Sequence, residues 1–213
     1  MKAIIDNDII FKGLKGDLLL FLIRSIPGET EVVGALGASP YVLNGLIRKC
    51  DEPLRESLNS RLALFLQNSN LLEPTQDELL LAADFERTAQ EVGLLFDVGE
   101  SQICSMAILR AIPFVATGDK RAIESLEELF DRHLKIASLT NRVFCLEQLV
   151  LRALTPECAA TLRNGICAGG KIDMTLSICF ACHSDNVDVK SIAECLNSYI
   201  SHLREKAPRI LAA

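Results

Sequence analysis

Histidine is scarce in this sequence. His133, His183 and His202 are the only three among 213 residues, and none neighbours a nucleophile in a recognisable turn. A nucleophilic triad therefore has no support here. Long apolar runs are missing too: the stretch from Leu18 to Ile23 is stopped by Arg24 and Pro27, well short of the roughly 20 residues that a bilayer-spanning helix needs. No membrane segment is expected. Nor is there a basic surplus, since 22 Lys and Arg stand against 28 Asp and Glu, for a formal net charge of −6. Nonspecific coating of duplex DNA draws its affinity from neutralised phosphates; this balance argues against it and leaves room only for a local basic rim. The amino terminus carries an acid at its sixth residue and lacks the basic, then apolar, then small layout of an export signal. A soluble cytoplasmic protein is the expectation. The eight cysteines are scattered, largely within helical patterns, and are expected to be reduced and mostly packed.

What is present is acid at the tips of apolar runs. Met1 to Ile5 leads to Asp6-Asn7-Asp8, which suits a buried parallel strand delivering carboxylates to the mouth of a crevice. A helix is expected from Ile9 to Ile26, with Phe11, Leu14, Leu18, Phe21 and Leu22 on one face and Pro27-Gly28 as its stop. A second strand follows at Glu31 to Leu36, then a helix from Ser39-Pro40 to Lys49, with Ser at the cap and Pro at its first position. Helices from Glu52 to Gln67 and from a Thr75 cap to Glu91 fill the middle. Phe96 to Glu100 turns the chain into a helix ending at Arg110. Pro113 to Thr117 makes a third strand that stops at Gly118-Asp119, so a second strand tip carries an acid. A helix from Lys120 to about Arg132 and a last strand at Leu134 to Leu139 complete an α/β pattern, and everything after Thr140 reads as helical.

Three of these stretches, in order and at plausible spacing, carry a resemblance: Ile4-Ile5-Asp6-Asn7-Asp8, Gly99-Glu100-Ser101-Gln102-Ile103, and Val115-Ala116-Thr117-Gly118-Asp119-Lys120-Arg121. The chain resembles PIN-domain nucleases over roughly its first two thirds. The resemblance implies a three-layer α/β/α sandwich with a central parallel sheet at residues 1–139. Residues 140–213 would then be a helical extension, packed on that domain or forming a partner surface. It implies a metal-dependent ribonuclease, of the kind that includes toxins of toxin–antitoxin pairs, with Asp6, Glu100 and Asp119 holding Mg²⁺ or Mn²⁺. Asp8 is the further acid nearest that shell. Thr117 matches the small hydroxyl residue before the third acid, and Lys120 and Arg121 are placed to contact RNA phosphates. An antitoxin-like protein and a second copy of the chain are the implied protein partners. One departure is plain: Ser39, Val42 and Leu43 lead into Asn44-Gly45-Leu46, so the glutamate that the family usually places near Asn44 is absent. That absence opens the alternative of a degenerate PIN-like protein that binds RNA or a protein partner without cutting.

Independently of the name, Mg²⁺ and Mn²⁺ prefer carboxylate and water oxygens, and three acids converging without a cation would repel one another. Taken singly, Asp6 and Asp119 also read as caps of the helices behind them. Other motifs are weaker. Asp6-Asn7-Asp8 fits the opening of haloacid-dehalogenase-like phosphatases, but that reading leaves Glu100 without a role. Gly165 to Ile172 approaches a phosphate-binding loop but lacks the terminal hydroxyl and a preceding strand. Cys179-Phe180-Ala181-Cys182-His183 has the spacing of haem attachment without an export signal, and with Cys167 or Cys195 it could supply zinc ligands. Its apolar context favours buried thiols.

Overall fold

The computed structural model describes residues 1–168, 172–184 and 187–213. Its centre is a five-stranded, all-parallel sheet of β1 (Ala3–Ile5), β2 (Val33–Leu36), β3 (Asn70–Leu72), β4 (Phe114–Thr117) and β5 (Val143–Cys145), in the order β3-β2-β1-β4-β5. Helices cover both faces, giving a three-layer α/β/α sandwich. Alternation along each strand divides the core. Ala3 and Ile5 face one cluster and Ile4 the other; Ala116 and Phe144 join the first, Val115, Val143 and Cys145 the second. This two-residue period is hidden in β1 and β5, where both faces are buried and every position is apolar.

On the first face lie α1 (Asn7–Gly16), α2 (Leu19–Ser25), α3 (Ser39–Ile47) and α4 (Glu52–Asn68). With them pack α8 (Leu146–Ala153), α9 (Ala159–Ala168) and α10 (Met174–Cys179). The second face is covered by α5 (Gln76–Glu91), α6 (Val98–Leu109) and α7 (Lys120–Leu129). The long α11 (Val189–Lys206) gives Ile192 and Leu196 to the first cluster and Ile200 and Leu203 to the second, so it wraps the β5 edge. Among the described residues no helix is long and apolar enough to cross a membrane.

The structure corrects the sequence expectations in several places. The single helix expected from Ile9 to Ile26 is two. Asp17 adopts a left-handed backbone (φ 56°), and the Asp17 and Leu18 amides donate back to the Leu14 and Gly13 carbonyls, the hydrogen-bond pattern of a Schellman stop. Gly13 allows the reversal, because a β-carbon there would lie 2.9 Å from the Leu19 Cα. Leu134–Leu139, expected as a strand, is a 3₁₀ helix that buries Ile136 and Leu139. That i, i+3 spacing matches a three-residue turn. The edge strand is instead β5, inside the segment read as wholly helical, so the sheet takes its last strand from beyond residue 139. Val143, which that reading placed in a helix, opens the strand, and Leu146 begins the helix that follows. β3 has no expected counterpart. Of the loop-like stretch from Gly165 to Ile172, Gly165 lies inside α9, while residues 169–171 fall outside the described residues. Cys167 and Cys182, expected as thiols, form a disulfide. Their sulfurs are thereby withdrawn from the possible zinc set.

The chain end is pinned to this frame. Ala212 donates to the Val143 carbonyl at 2.8 Å, and the buried Glu127 of α7 accepts from the Arg209 and Ile210 amides at 3.0 and 3.1 Å and from the Arg209 guanidinium. Glu127→Ala leaves those amides without their acceptor. The loss, about 2–4 kcal/mol, corresponds at this chain length to a melting temperature lower by roughly 10 °C. A thermal scan of the variant beside wild type measures it.

Candidate active site

The strand order places a topological switch point between β1 and β4: the chain leaves β1 toward β2 and β3, then returns to the other side of β1 with β4 and β5. Ligands of open α/β sheets bind beyond the carboxyl ends of strands at such a point. Asp6 follows β1 there, and Thr117 ends β4. The register Ile5↔Ala116 sets the two tips side by side, and the Asp6 amide donates to the Ala116 carbonyl at 2.9 Å. The Thr117 hydroxyl donates to Asp6 Oδ2 at 3.3 Å while accepting the Asp119 amide at 3.1 Å. That second bond leaves the hydroxyl proton free to point at Asp6.

Glu100 arrives from α6. Asp97 caps this helix and shares a capping box with Glu100: the Glu100 amide donates to Asp97 Oδ1 at 2.9 Å, and Glu100 Oε2 accepts the Asp97 amide at 3.0 Å. One carboxylate oxygen is thus committed to the helix start, which fixes the side chain. Asp6, Glu100 and Thr117 line one small cavity with Phe96, Ile103 and Cys104. Its volume, about 10 Å³, is close to the minimum that admits one water.

Burial controls the charge of this pair. It pushes Asp6 up to about 6, with Asp8 adding to the effect, and Glu100 up to about 7, with Asp97, Asp119 and Asp6 all contributing repulsion. The other two acids are already neutralised. Asp8 Oδ2 lies 2.7 Å from Lys12 Nζ on the next turn of α1, and that ammonium also meets Asp173 at 2.8 Å. Burial works against the Lys12 charge, but Asp173 and Asp8 outweigh it and hold its pKa above the ordinary value. Gly118 lets Asp8 pack against the β4 to α7 turn, since a β-carbon there would lie 2.0 Å from Asp8 Oδ2. Asp119 caps α7 through the Arg121 amide at 2.8 Å, and its two oxygens face the Arg121 guanidinium at 3.2 and 2.8 Å. Burial raises the Asp119 pKa, but Arg121 brings it below the usual carboxylate range.

The expected site residues therefore divide. Asp6, Glu100 and Thr117 meet; Asp119 stands within electrostatic reach of Glu100 but is held by Arg121; Asp8 turns toward Lys12. Lys120 does not face the acids. Its ammonium lies 2.5 Å from the buried Glu147 and 3.1 Å from the Thr175 hydroxyl. Arg121 is exposed and bound to Asp119. Lys12, Asp173 and Glu147 complete the charge network but were missed in the sequence. Lys12 was legible as the i+4 partner of Asp8; Asp173 and Glu147 reach it only through the tertiary fold.

A hard divalent ion suits these donors, because Asp6 and Glu100 are buried oxygens whose repulsion a cation would relieve. The arrangement is a pair, however: among the described residues no group of three His, Cys, Asp or Glu side chains is placed to hold a metal. Asn44, in the stretch where a glutamate was expected, donates its side-chain amide to the Pro40 carbonyl of its own helix at 2.7 Å. The comparisons with family models, curated proteins and solved structures found no match to this chain.

The raised carboxylates fix the sign of a pH effect. Unfolded Asp and Glu titrate near 4, so the folded chain binds more protons between about pH 4 and the raised values. Stability is therefore full at the acidic end and falls as pH rises through about 6 for Asp6 and about 7 for Glu100. Asp6→Asn removes its share, on the order of 2–3 kcal/mol. In the presence of a chelator the variant melts above wild type at pH 8, by roughly 5–10 °C, and the gap closes toward pH 4.5. Melting curves across that range check it; a gap independent of pH would show that Asp6 is not held in its protonated form.

Proposed function

We propose that the chain is a metal-dependent ribonuclease of the PIN type, in which Asp6 and Glu100 hold Mg²⁺ or Mn²⁺ and Asp119 joins them. One observation carries the reading: two carboxylates far apart in the sequence, with Thr117, line a single slot at the switch point of a parallel sheet. A bound divalent ion would supply a water of lowered pKa and would neutralise phosphoryl charge. The protein's own part is orientation. Thr117, fixed by the Asp119 amide, directs its proton to Asp6, and the Asp97 capping box holds one oxygen of Glu100. The Arg121–Asp119 pair is largely exposed on the Arg121 side and so costs little to part. A substrate phosphate taking Arg121 would release Asp119 to the ion. Phosphate contact then falls to Arg121 rather than Lys120, whose charge Glu147 already satisfies.

A specific observation favours a second reading, an RNA or protein binder without nuclease activity. The acid expected near Asn44 is absent, Asn44 itself is bonded within its own helix, and the described residues gather two carboxylates without a counter-ion rather than three. The discriminating experiment is cleavage of single-stranded RNA with Mn²⁺ by wild type, Asp6→Asn and Glu100→Gln. The nuclease reading expects wild-type cleavage, with each variant slower by about a hundredfold or more, beyond what loss of an outer-shell partner costs. Absence of cleavage by wild type with RNA binding retained selects the binder. Undiminished cleavage by Asp6→Asn points to a contaminant and ends the assignment of Asp6.

A further inference from the structure

A second cavity, of about 440 Å³, opens between α2, α4 and the start of β2, within the size range of small-molecule pockets. It shares no lining residue with the slot at Asp6 and lies toward the opposite end of the strands, beneath the carboxyl end of α1. Val33 and Phe65 at its base are buried, whereas Leu20 on α2 and Leu64 on α4 are 49% and 62% exposed beside it. An occupant must be apolar enough to lie against Ile23, Val33 and Phe65.

Four charged residues line the cavity in two pairs: Arg24 and Glu31 meet at 2.8 Å and are both more than half exposed, which leaves the Arg61–Asp17 pair to set any charge preference at depth. Arg61 is anchored by the Leu14 carbonyl at 2.6 Å and faces Asp17 at 3.2 Å. Its side chain is 30% exposed, against 71% for Asp17. The guanidinium is thus part of the wall, while its acid partner stands in solvent and is displaced at small cost. A carboxylate is the natural replacement, since it pairs with the guanidinium in the same geometry. An ammonium would find only Glu31 and Asp17, both solvent-exposed and already paired.

We propose that this cavity binds the anion of a medium-chain carboxylic acid, with its hydrocarbon chain between α2 and α4 and its carboxylate on Arg61 in place of Asp17. The probe is decanoate below its micelle concentration, titrated into the full chain and followed by methyl NMR, with decanol and decyltrimethylammonium as controls. Saturable shifts confined to Leu20, Ile23, Val33 and Leu64 are expected, with decanoate the tightest of the three. Arg61→Gln weakens decanoate about tenfold, the loss of one charge-assisted bond, and leaves decanol unchanged. Leu20→Asp, a change at an exposed position, abolishes binding of decanoate without loss of fold. Equal affinity for decanoate and decyltrimethylammonium, or the absence of saturable shifts, overturns the proposal. So does a concentration-dependent dimer in sedimentation that Leu64→Asp dissolves, because the face would then be an interface between copies. RNA cleavage plays no part in these readouts, so failure here leaves the nuclease reading standing, and the reverse holds as well.

Discussion

The pairing of β1 with β4 is the constraint from which the candidate site follows. Two parallel strands in register bring Asp6 and Thr117 to one edge, and the reversal of strand order opens the gap between the helices that follow them. α7 begins at that gap, and α6 packs on β1 and β4 and brings Glu100 to its mouth. Without this pairing the acids would be unrelated helix caps. With it, burial gives two of them an unfavourable charge that needs a cation or a proton nearby.

Fold and site were legible in the sequence to different depths. Strand tips and helix starts carry local chemistry that needs no partner to be read: Thr75 and Asp97 cap as such residues do, with Glu78 and Glu100 answering from the third position. The split after Gly16 was hidden because Leu18 to Ile23 prolongs the apolar pattern, and only the reversal at Asp17 breaks it. β5 was hidden for a related reason. A three-residue buried strand running directly into α8 offers too few positions to tell a period of two from one of 3.6. β3 is equally short, and two of its three residues are exposed. What the residues could not disclose was the part of the charge network that only the tertiary fold assembles, Asp173 on Lys12 and Glu147 on Lys120.

That last point decides how the acidic edge works. Four carboxylates, Asp6, Asp8, Glu100 and Asp119, come from three separate elements, yet the chain neutralises two of them itself. Lys12 holds Asp8, and Arg121 holds Asp119. The two pairs differ in kind. Lys12 is bound on both sides, by Asp8 and by Asp173, and its side chain is only 17% exposed; removing it would leave two carboxylates unpaired. Arg121 is exposed and has one partner, so solvent and salt already compete for it. Asp8 is thus a structural acid in this state, and Asp119 one whose partner can be exchanged.

α1 joins this edge to the opposite end of the molecule. Its first turn carries Asp8 and Lys12 follows one turn later, while Gly13, Leu14 and Asp17 at its other end border the large cavity. A rigid helix of ten residues moves as a unit more readily than it bends. The ends of α1 are held differently, however. At the acidic edge Lys12 ties it to Asp173 of the carboxyl-terminal segment; at the cavity the tie is Arg61, bonded to the Leu14 carbonyl. An occupant that takes Arg61 from Asp17 leaves the bond to Leu14 in place, so the helix keeps its anchor. The two ends thus share one helix, and each carries its own counter-charges, Asp8 and Asp173 around Lys12 and Asp17 beside Arg61.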